Sequence, residues 1–393
     1  MATGPGLTPH LFFVIIGPHK LKILSAVQLN LDHYCCCYSS IFDNLKGFAM
    51  SSTYLPSVSV IVPVHNGGEN FRRCLESLAA AEPAPKEIIV VADGDTDGSW
   101  RLAEEFGFRV LRIPKRGGPG RARNMGAQQA RGDILFFVDA DVTISRDAVN
   151  QIANSFQPDF AVTAVFGSYD DEPFETNFLS QYKNLFHHYV HQTANVEAST
   201  FWSGCGAIRR DIFWDLNGFD ENYEHPSIED IELGYRLKRV GHRIYLLKSL
   251  MVKHLKRWSV ASLLKADFLY RALPWTALIL KEGRFVNDLN LKISSRSSVV
   301  LTYLMLISLV GTFVMPWLFT IAVVIAVSLL VINRDTHRFF KVKRGLGFAL
   351  MTIPWHWFYF FYSGLAFAIG FVRFHAERAW SDAKRRFKAG KVV

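Results

Sequence analysis

The sequence predicts an α/β domain built on a mostly parallel sheet, followed by apolar helices of membrane length. Three observations predict it. Short apolar runs alternate with helix-patterned segments through the first half. Several runs end in acidic or glycine-rich turns. From Ser297 to Val372 charged residues almost vanish, apart from one basic patch.

The elements follow in order. Residues 58–63 form an apolar strand ending in a turn, and 70–81 carry helical spacing at Phe71, Cys74, Leu75 and Leu78. A second buried strand, 87–92, leads into the polar turn Asp93 to Asp97. Residues 100–106 read as a helix, 109–113 as a third strand and 122–130 as a helix opened by Gly117, Gly118 and Gly120. The fourth strand, 134–138, stops at Asp139. A further strand is expected at 160–166 and a helix at 178–190. Strands joined by helices of this length imply a parallel sheet with helices on both faces. Ligands in such sheets sit beyond the carboxyl ends of the strands, where Asp93 and Asp139 fall.

The remainder divides into an amphipathic interface segment at 259–296, a transmembrane module at 297–372 and a basic tail at 373–393. As one helix, 297–332 would be about 54 Å long, against a hydrocarbon core of about 30 Å. Two short spans turning near Pro316 fit better. The basic stretch 333–344 reads as a cytosolic loop. The last apolar run, 345–372, is interrupted at Pro354 and His356. A single crossing would leave the basic tail outside; a re-entrant, tilted or hairpin segment would keep it inside, and both stay open. The expectation is a multi-pass protein of the plasma or inner membrane with a cytoplasmic catalytic domain. At the other end, residues 1–49 read as a non-native or disordered extension, with Met50 as the expected natural start.

The formal net charge of +9 comes from basic clusters at 109–123 and 236–257 and from the flanks of the apolar runs. No nucleic-acid motif accompanies it, so a diphosphate site and an anionic membrane surface are the expected partners. Cys35, Cys36 and Cys37 are adjacent, too crowded for ordinary pairing, and no CxxC is present. This usage fits a reducing compartment and no zinc site.

Chemistry concentrates at Asp139-Ala140-Asp141, directly after the fourth strand. Such a pair alone is more often a surface turn, but at a strand terminus it can hold a hard divalent cation against a diphosphate. The glycines at 117–120 let a backbone approach a ligand, and Arg123 in the helix they open offers a phosphate-friendly charge. Glu229-Asp230 supplies a candidate general base.

Together these motifs resemble the inverting family 2 glycosyltransferases of the nucleotide-diphospho-sugar (GT-A) fold, over residues 57–258. Ser-Val-Ser-Val-Ile-Val-Pro63-Val-His65-Asn66 resembles the opening strand and Pro-x-Tyr-Asn turn, with His65 in place of Tyr. Ala92-Asp93-Gly94 is similar to an Asp-Asp-Gly segment that binds the base, commonly uracil. Gly117 to Asn124 resembles the Gly-x-x-x-Ala-Arg-Asn element, and Trp202-Ser-Gly204 the sugar and acceptor segment. The resemblance implies a nucleotide-sugar site of Pro63, Asn66, Asp93, Arg123, Asp139, Gly204, Arg257 and Trp258. It implies Asp230 as base with Glu229 as fallback, and Mg or Mn held by Asp139, Asp141 and His254. Arg257-Trp258 lacks the preceding Gln residues of processive members, which points to transfer of a single sugar. The acceptor expected from the membrane module is a lipid or lipid-linked glycan. The competing readings are a catalytically inactive scaffold of this fold and a nucleotidyltransferase on a similar sheet. The latter should carry a basic Gly-rich loop after the first strand, which Pro63 to Glu69 does not supply.

Overall fold

The computed structural model describes residues 55–157, 162–283 and 287–389. The segment 1–49 lies outside them. The chain runs β1 (Val58–Val64), α1 (Gly68–Ala79), β2 (Glu87–Asp93), α2 (Ser99–Glu105), β3 (Arg109–Ile113), α3 (Pro119–Gln129) and β4 (Ile134–Val138). It continues with β5 (Val142–Ile144), α4 (Ala148–Ser155), β6 (Ala164–Tyr169), α5 (Phe178–Gln192), β7 (Cys205–Arg209), α6 (Arg210–Asp215), α7 (Glu229–Arg239) and β8 (Ile244–His254).

Eight strands form one sheet in the order β3-β2-β1-β4-β7-β6-β8-β5. The first four are mutually parallel. Beyond them β7 runs antiparallel to both β4 and β6, β6 and β8 are parallel, and β5 is antiparallel to β8. The sheet is therefore mixed, with its parallel half in the first motifs and its antiparallel pairings after Asp139. Alternate side chains feed two cores. Val60, Val62, Val90 and Phe136 pack under Phe71, Leu75 and Phe156 on one face. Ile61, Ile89, Val91 and Phe137 pack with Phe213, Phe219 and Leu233 on the other. Burial on both faces explains why these strands are uninterrupted apolar runs, each full side chain contributing about 1.5–3 kcal/mol.

After β8 comes α8 (Val260–Leu264), a π-helical stretch Lys265–Ala272, α9 (Leu273–Glu282) and a short 3-10 turn Leu289–Leu291. Three apolar helices follow: α10 (Ile293–Gly311), α11 (Leu318–Ile332) and α12 (Arg334–Ala389). Pro316 lies in the connection between α10 and α11. By length and composition two helical stretches can cross a membrane, Ile293–Gly311 and Arg334–Ser381. At 15 residues α11 is shorter than the roughly 20 a span needs.

Two expectations change here. The basic stretch 333–344 is helical, the first limb of α12, and Gly345 breaks the helix with φ 83° and ψ 173°. It folds against the α/β domain because Phe340 is fully buried beside Tyr182, while Arg344 donates to Gln181 Oε1 (2.7 Å) and Lys343 pairs with Asp171. The helix also continues through Pro354, and the buried His356 meets the Tyr182 hydroxyl through Nδ1 at 2.7 Å. Local sequence cannot register such packing partners.

Candidate active site

The site is assembled at the carboxyl ends of β2 and β4. Asp93 closes β2, is buried, and accepts from the backbone N–H groups of Gly117 (2.7 Å) and Gly118 (2.8 Å). Gly118 has φ 92°, and a Cβ there would lie 2.6 Å from the Glu224 carbonyl oxygen, so this turn requires glycine. The pinned loop launches α3 and so directs Arg123. Its Nη2 donates to Asp139 Oδ1 and its Nη1 to Glu229 Oε1, both at 2.7 Å. Arg123 and Glu229 are each 4% exposed.

This geometry corrects three sequence expectations. Arg123 ties two acids together inside the protein instead of standing free for a diphosphate. Glu229, the fallback base, is held by Arg123 and by the Ser227 N–H (3.0 Å). Asp93 turns its carboxylate into the glycine loop, away from solvent. Asn66 has a similar duty: at φ 53°, its Oδ1 accepts from Thr96 N (2.8 Å) and Asp97 N (3.3 Å). It joins the turns after β1 and β2. Pro63 is half-buried in β1, in register with Val91.

Asp230 differs from its neighbour. Oδ2 accepts from the Ser203 N–H (3.1 Å) and hydroxyl (3.3 Å), and Oδ1 from the Ile231 N–H (2.8 Å). Burial pushes its carboxyl up to about 6, the Glu229 charge adding to the rise and the Ser203 N–H, Arg123 and Arg271 opposing it. Gly204, between Ser203 and β7, admits no side chain: a Cβ would meet the Trp202 ring at 2.6 Å and Asp139 Oδ2 at 2.9 Å.

Asp141 and His254 converge from the adjoining strand ends, Oδ2 and Nε2 standing 3.7 Å apart. The Val142–His254 register of β5 and β8 sets this approach. Tyr169 stacks on His254 at 4.3 Å and 11°. Burial alone would raise the Asp141 carboxyl, but the His254 contact and the Lys256 charge outweigh it and hold the value at about 2. Asp139 moves the other way: burial raises it, Arg123 opposes, and the charges of Asp141 and Glu229 push it up. Among the described residues no three His, Cys, Asp or Glu side chains converge as a ready metal cage. Asp139 is bonded to Arg123, and Asp141 stands by His254.

Of the pair Arg257-Trp258, the structure turns Arg257 to solvent, while the Trp258 ring lies 6.3 Å from the His254 ring. Arg257 is largely exposed and pairs with Glu175 (3.0 Å). Trp258 is buried among Leu179, Leu263 and Tyr362, and its backbone N–H donates to Ser180 Oγ (2.8 Å). Tyr169, which the motifs did not single out, also reaches the cleft, beside Trp202 and His254. His187, His188 and His191 pack inward, with His187 between Tyr169 (4.4 Å) and Trp202 (5.0 Å). Burial lowers His191 to about 3. Their helical spacing on an apolar face was the available signal.

A parallel half-sheet with paired acids at its fourth strand, abutting an antiparallel half that carries a further acid, is the architecture of the GT-A nucleotide-diphospho-sugar transferases. Residues 59–216 match the family described as glycosyl transferase family 2, so the chain carries a family 2 glycosyltransferase domain. It is similar to glycosyltransferase GlyG of Streptococcus pneumoniae, 29% identical over 126 residues, covering 31% of this chain and 42% of the relative. It is also similar to glycosyltransferase AglE of Haloferax volcanii, 39% identical over 100 residues, 23% of this chain and 32% of that protein. The chain thus spans less than half the length of each. Among solved structures it resembles the mannosyltransferase PcManGT of Pyrobaculum calidifontis, in complex with GDP-Man and Mn2+. That match has a TM-score of 0.51 and 17% identity, covers 80% of this chain and 88% of the other, and is one of fold.

Proposed function

We propose that the chain is a membrane-anchored, inverting glycosyltransferase moving one sugar from a nucleoside-diphosphate sugar, with uridine the favoured nucleoside, to a lipid or lipid-linked glycan. The observation carrying this reading is the division of labour between adjacent acids. Arg123 pairs directly with Glu229, whereas Asp230 keeps a raised carboxyl hydrogen-bonded by the neutral Ser203 and Ile231 groups. A base near its working pH that can take a hydroxyl proton is what glycosyl transfer to an alcohol needs.

Asp230 would accept the acceptor's proton as its oxygen attacks the anomeric carbon, and a single in-line displacement inverts that centre. Asp141 and His254 would hold a divalent cation. The fit rests on their facing donors and on an excess of carboxylate: Asp139, Glu229 and Asp230 gather around one buried guanidinium, and the Asp141 charge acts on Asp139. Mn suits the mixed oxygen and imidazole set, and Mg is the alternative. Such an ion, when bound, neutralises charge on the departing diphosphate. Asp139, fixed by Arg123, shapes the floor beneath the sugar, with Gly204 keeping that floor open. Support for the anchor comes from the two long apolar helices and from exposed Phe313, Val314 and Trp317 at the α10–α11 turn.

The test is nucleotide release from a panel of UDP- and GDP-sugars with Mn or Mg. Cation-dependent release that disappears in Asp139→Ala is expected; silence with every donor rejects the proposal.

A further inference from the structure

A cavity of about 820 Å³ extends from Asp230 and Trp202 to the C-terminal helices. Its size lies within the roughly 300–1,000 Å³ range of ligand pockets. One end of it is charged and the other apolar. At the charged end stand Asp230, Lys183, Asp267 and Arg271; at the apolar end the walls include Trp275, Ile279, Leu304 and Phe360. His187, His191, Arg296 and three tyrosines complete the titratable lining.

The charged groups are not bonded alike: the charge of Arg271 reaches Asp230 and Asp267 without a direct bond. The Lys183 ammonium grips both oxygens of Asp267, at 2.6 and 2.7 Å, and the Tyr362 hydroxyl donates to Oδ2 of the same carboxylate at 2.9 Å. Asp267 is thereby fully engaged. Arg271, one turn along the π-helical stretch, makes no hydrogen bond or ion pair among the described residues. A guanidinium over a mainly apolar cavity is costly to desolvate until an anion meets it, and its planar fork matches phosphate. π-Helical turns of this kind recur at functional sites, where they re-aim a side chain. The apolar end of the cavity runs along α9, α10 and α12, the last two containing the stretches long enough to cross a membrane.

Resting on the transferase reading above, we propose that this cavity seats the acceptor, a glycolipid whose sugar is joined to its lipid through phosphate. The phosphate sits on Arg271, the sugar hydroxyl turns to Asp230, and the hydrocarbon lies along Trp275, Ile279, Leu304 and Phe360. Lys183 and Asp267 form the rigid neutral pair that prevents Arg271 from collapsing onto a carboxylate. The lipid tail leaves between α10 and α12.

Binding of farnesyl phosphate to the full chain in nanodiscs tests this, with farnesol and farnesoic acid as controls and tryptophan fluorescence as readout. Farnesyl phosphate is expected to bind at least about ten-fold more tightly than farnesol, a difference of about 1.4 kcal/mol. Arg271→Gln should erase that preference while leaving farnesol affinity in place, and Arg271→Lys should restore part of it. Leu304→Trp should weaken both ligands alike. Equal affinity for phosphate and alcohol overturns the proposal, as does equal affinity for phosphate and carboxylate. A loss of UDP affinity in Arg271→Gln would assign the guanidinium to the donor and overturn it as well. Absence of nucleotide release by the wild-type chain strikes the transferase reading instead, because lipid binding is measured without a donor.

Discussion

Arg123 and Glu229 meet at 2.7 Å in a part of the molecule where each is 4% exposed. This contact crosses from α3, beside the parallel half-sheet, to the first residue of α7. It locks one acid of the Glu229-Asp230 pair and leaves the other available.

Removing the guanidinium should therefore be expensive. Arg123→Ala strands a buried Glu229 and is expected to cost about 3–5 kcal/mol, the range for breaking a buried ion pair from one side. Thermal unfolding of the full chain measures it. A melting temperature equal to wild type would show that the bridge carries no structural weight.

Asp230→Asn should reduce turnover by about 10²–10⁴-fold, the range for losing a general base, while nucleotide affinity holds. Steady-state turnover with calorimetric UDP binding separates the two. Retained turnover would remove Asp230 from the mechanism.

The pH profile follows from the same group. Asp230 must be ionised to accept a proton, and its carboxyl is raised to about 6. The rate should fall as pH drops through about 6, and Asp230→Asn should abolish that inflection. The stability effect has the opposite sign. A carboxyl raised above its unfolded value stabilises the fold at low pH, and this contribution is lost as pH rises through about 6. Turnover and melting curves recorded from pH 5 to 8 should consequently move in opposite directions at this group.

For the cation, Asp141→Asn and His254→Ala should each weaken Mn2+ binding by at least about ten-fold, as loss of supporting groups around metal sites does. Titration of Mn2+ followed by electron paramagnetic resonance gives the affinity without turnover. An unchanged affinity in both variants would exclude this pair as the seat of the ion.

Gly118→Ala should distort the loop held by Asp93. The new methyl would lie 2.6 Å from the Glu224 carbonyl oxygen at φ 92°. The expected loss is about 1–3 kcal/mol, with weaker nucleotide binding, read by melting and UDP titration.

Much of the parallel half was legible in the sequence. Val60, Ile61 and Val62, or Phe136, Phe137 and Val138, are buried on both faces, so their apolar runs need no tertiary information to read as strands. The turn acids were visible for the same reason: a polar residue ending such a run must face the strand's carboxyl end. The motif residues themselves were legible, but their duties were not. Asp93 and Asn66 stand where a nucleotide-binding turn would place them, yet their carboxylate and amide oxygens bond backbone N–H groups of neighbouring turns. Arg257 and Trp258 are adjacent in sequence, but one faces solvent beside Glu175 and the other packs under α8. A run of letters does not encode which way a side chain turns.

By itself, then, the sequence determined the strand and helix periodicities, the acids at strand ends and the apolar length of the C-terminal helices. These are local consequences of hydrophobic pattern and turn chemistry. Tertiary structure alone decided which acids Arg123 pairs with, that Asp141 faces His254 and that Arg271 lines the same cavity as Asp230. Each depends on residues more than a hundred positions apart, or on the register of an antiparallel pairing, being brought within a few ångströms. Charges paired at that range and sheltered from water gain an energy that no local propensity anticipates.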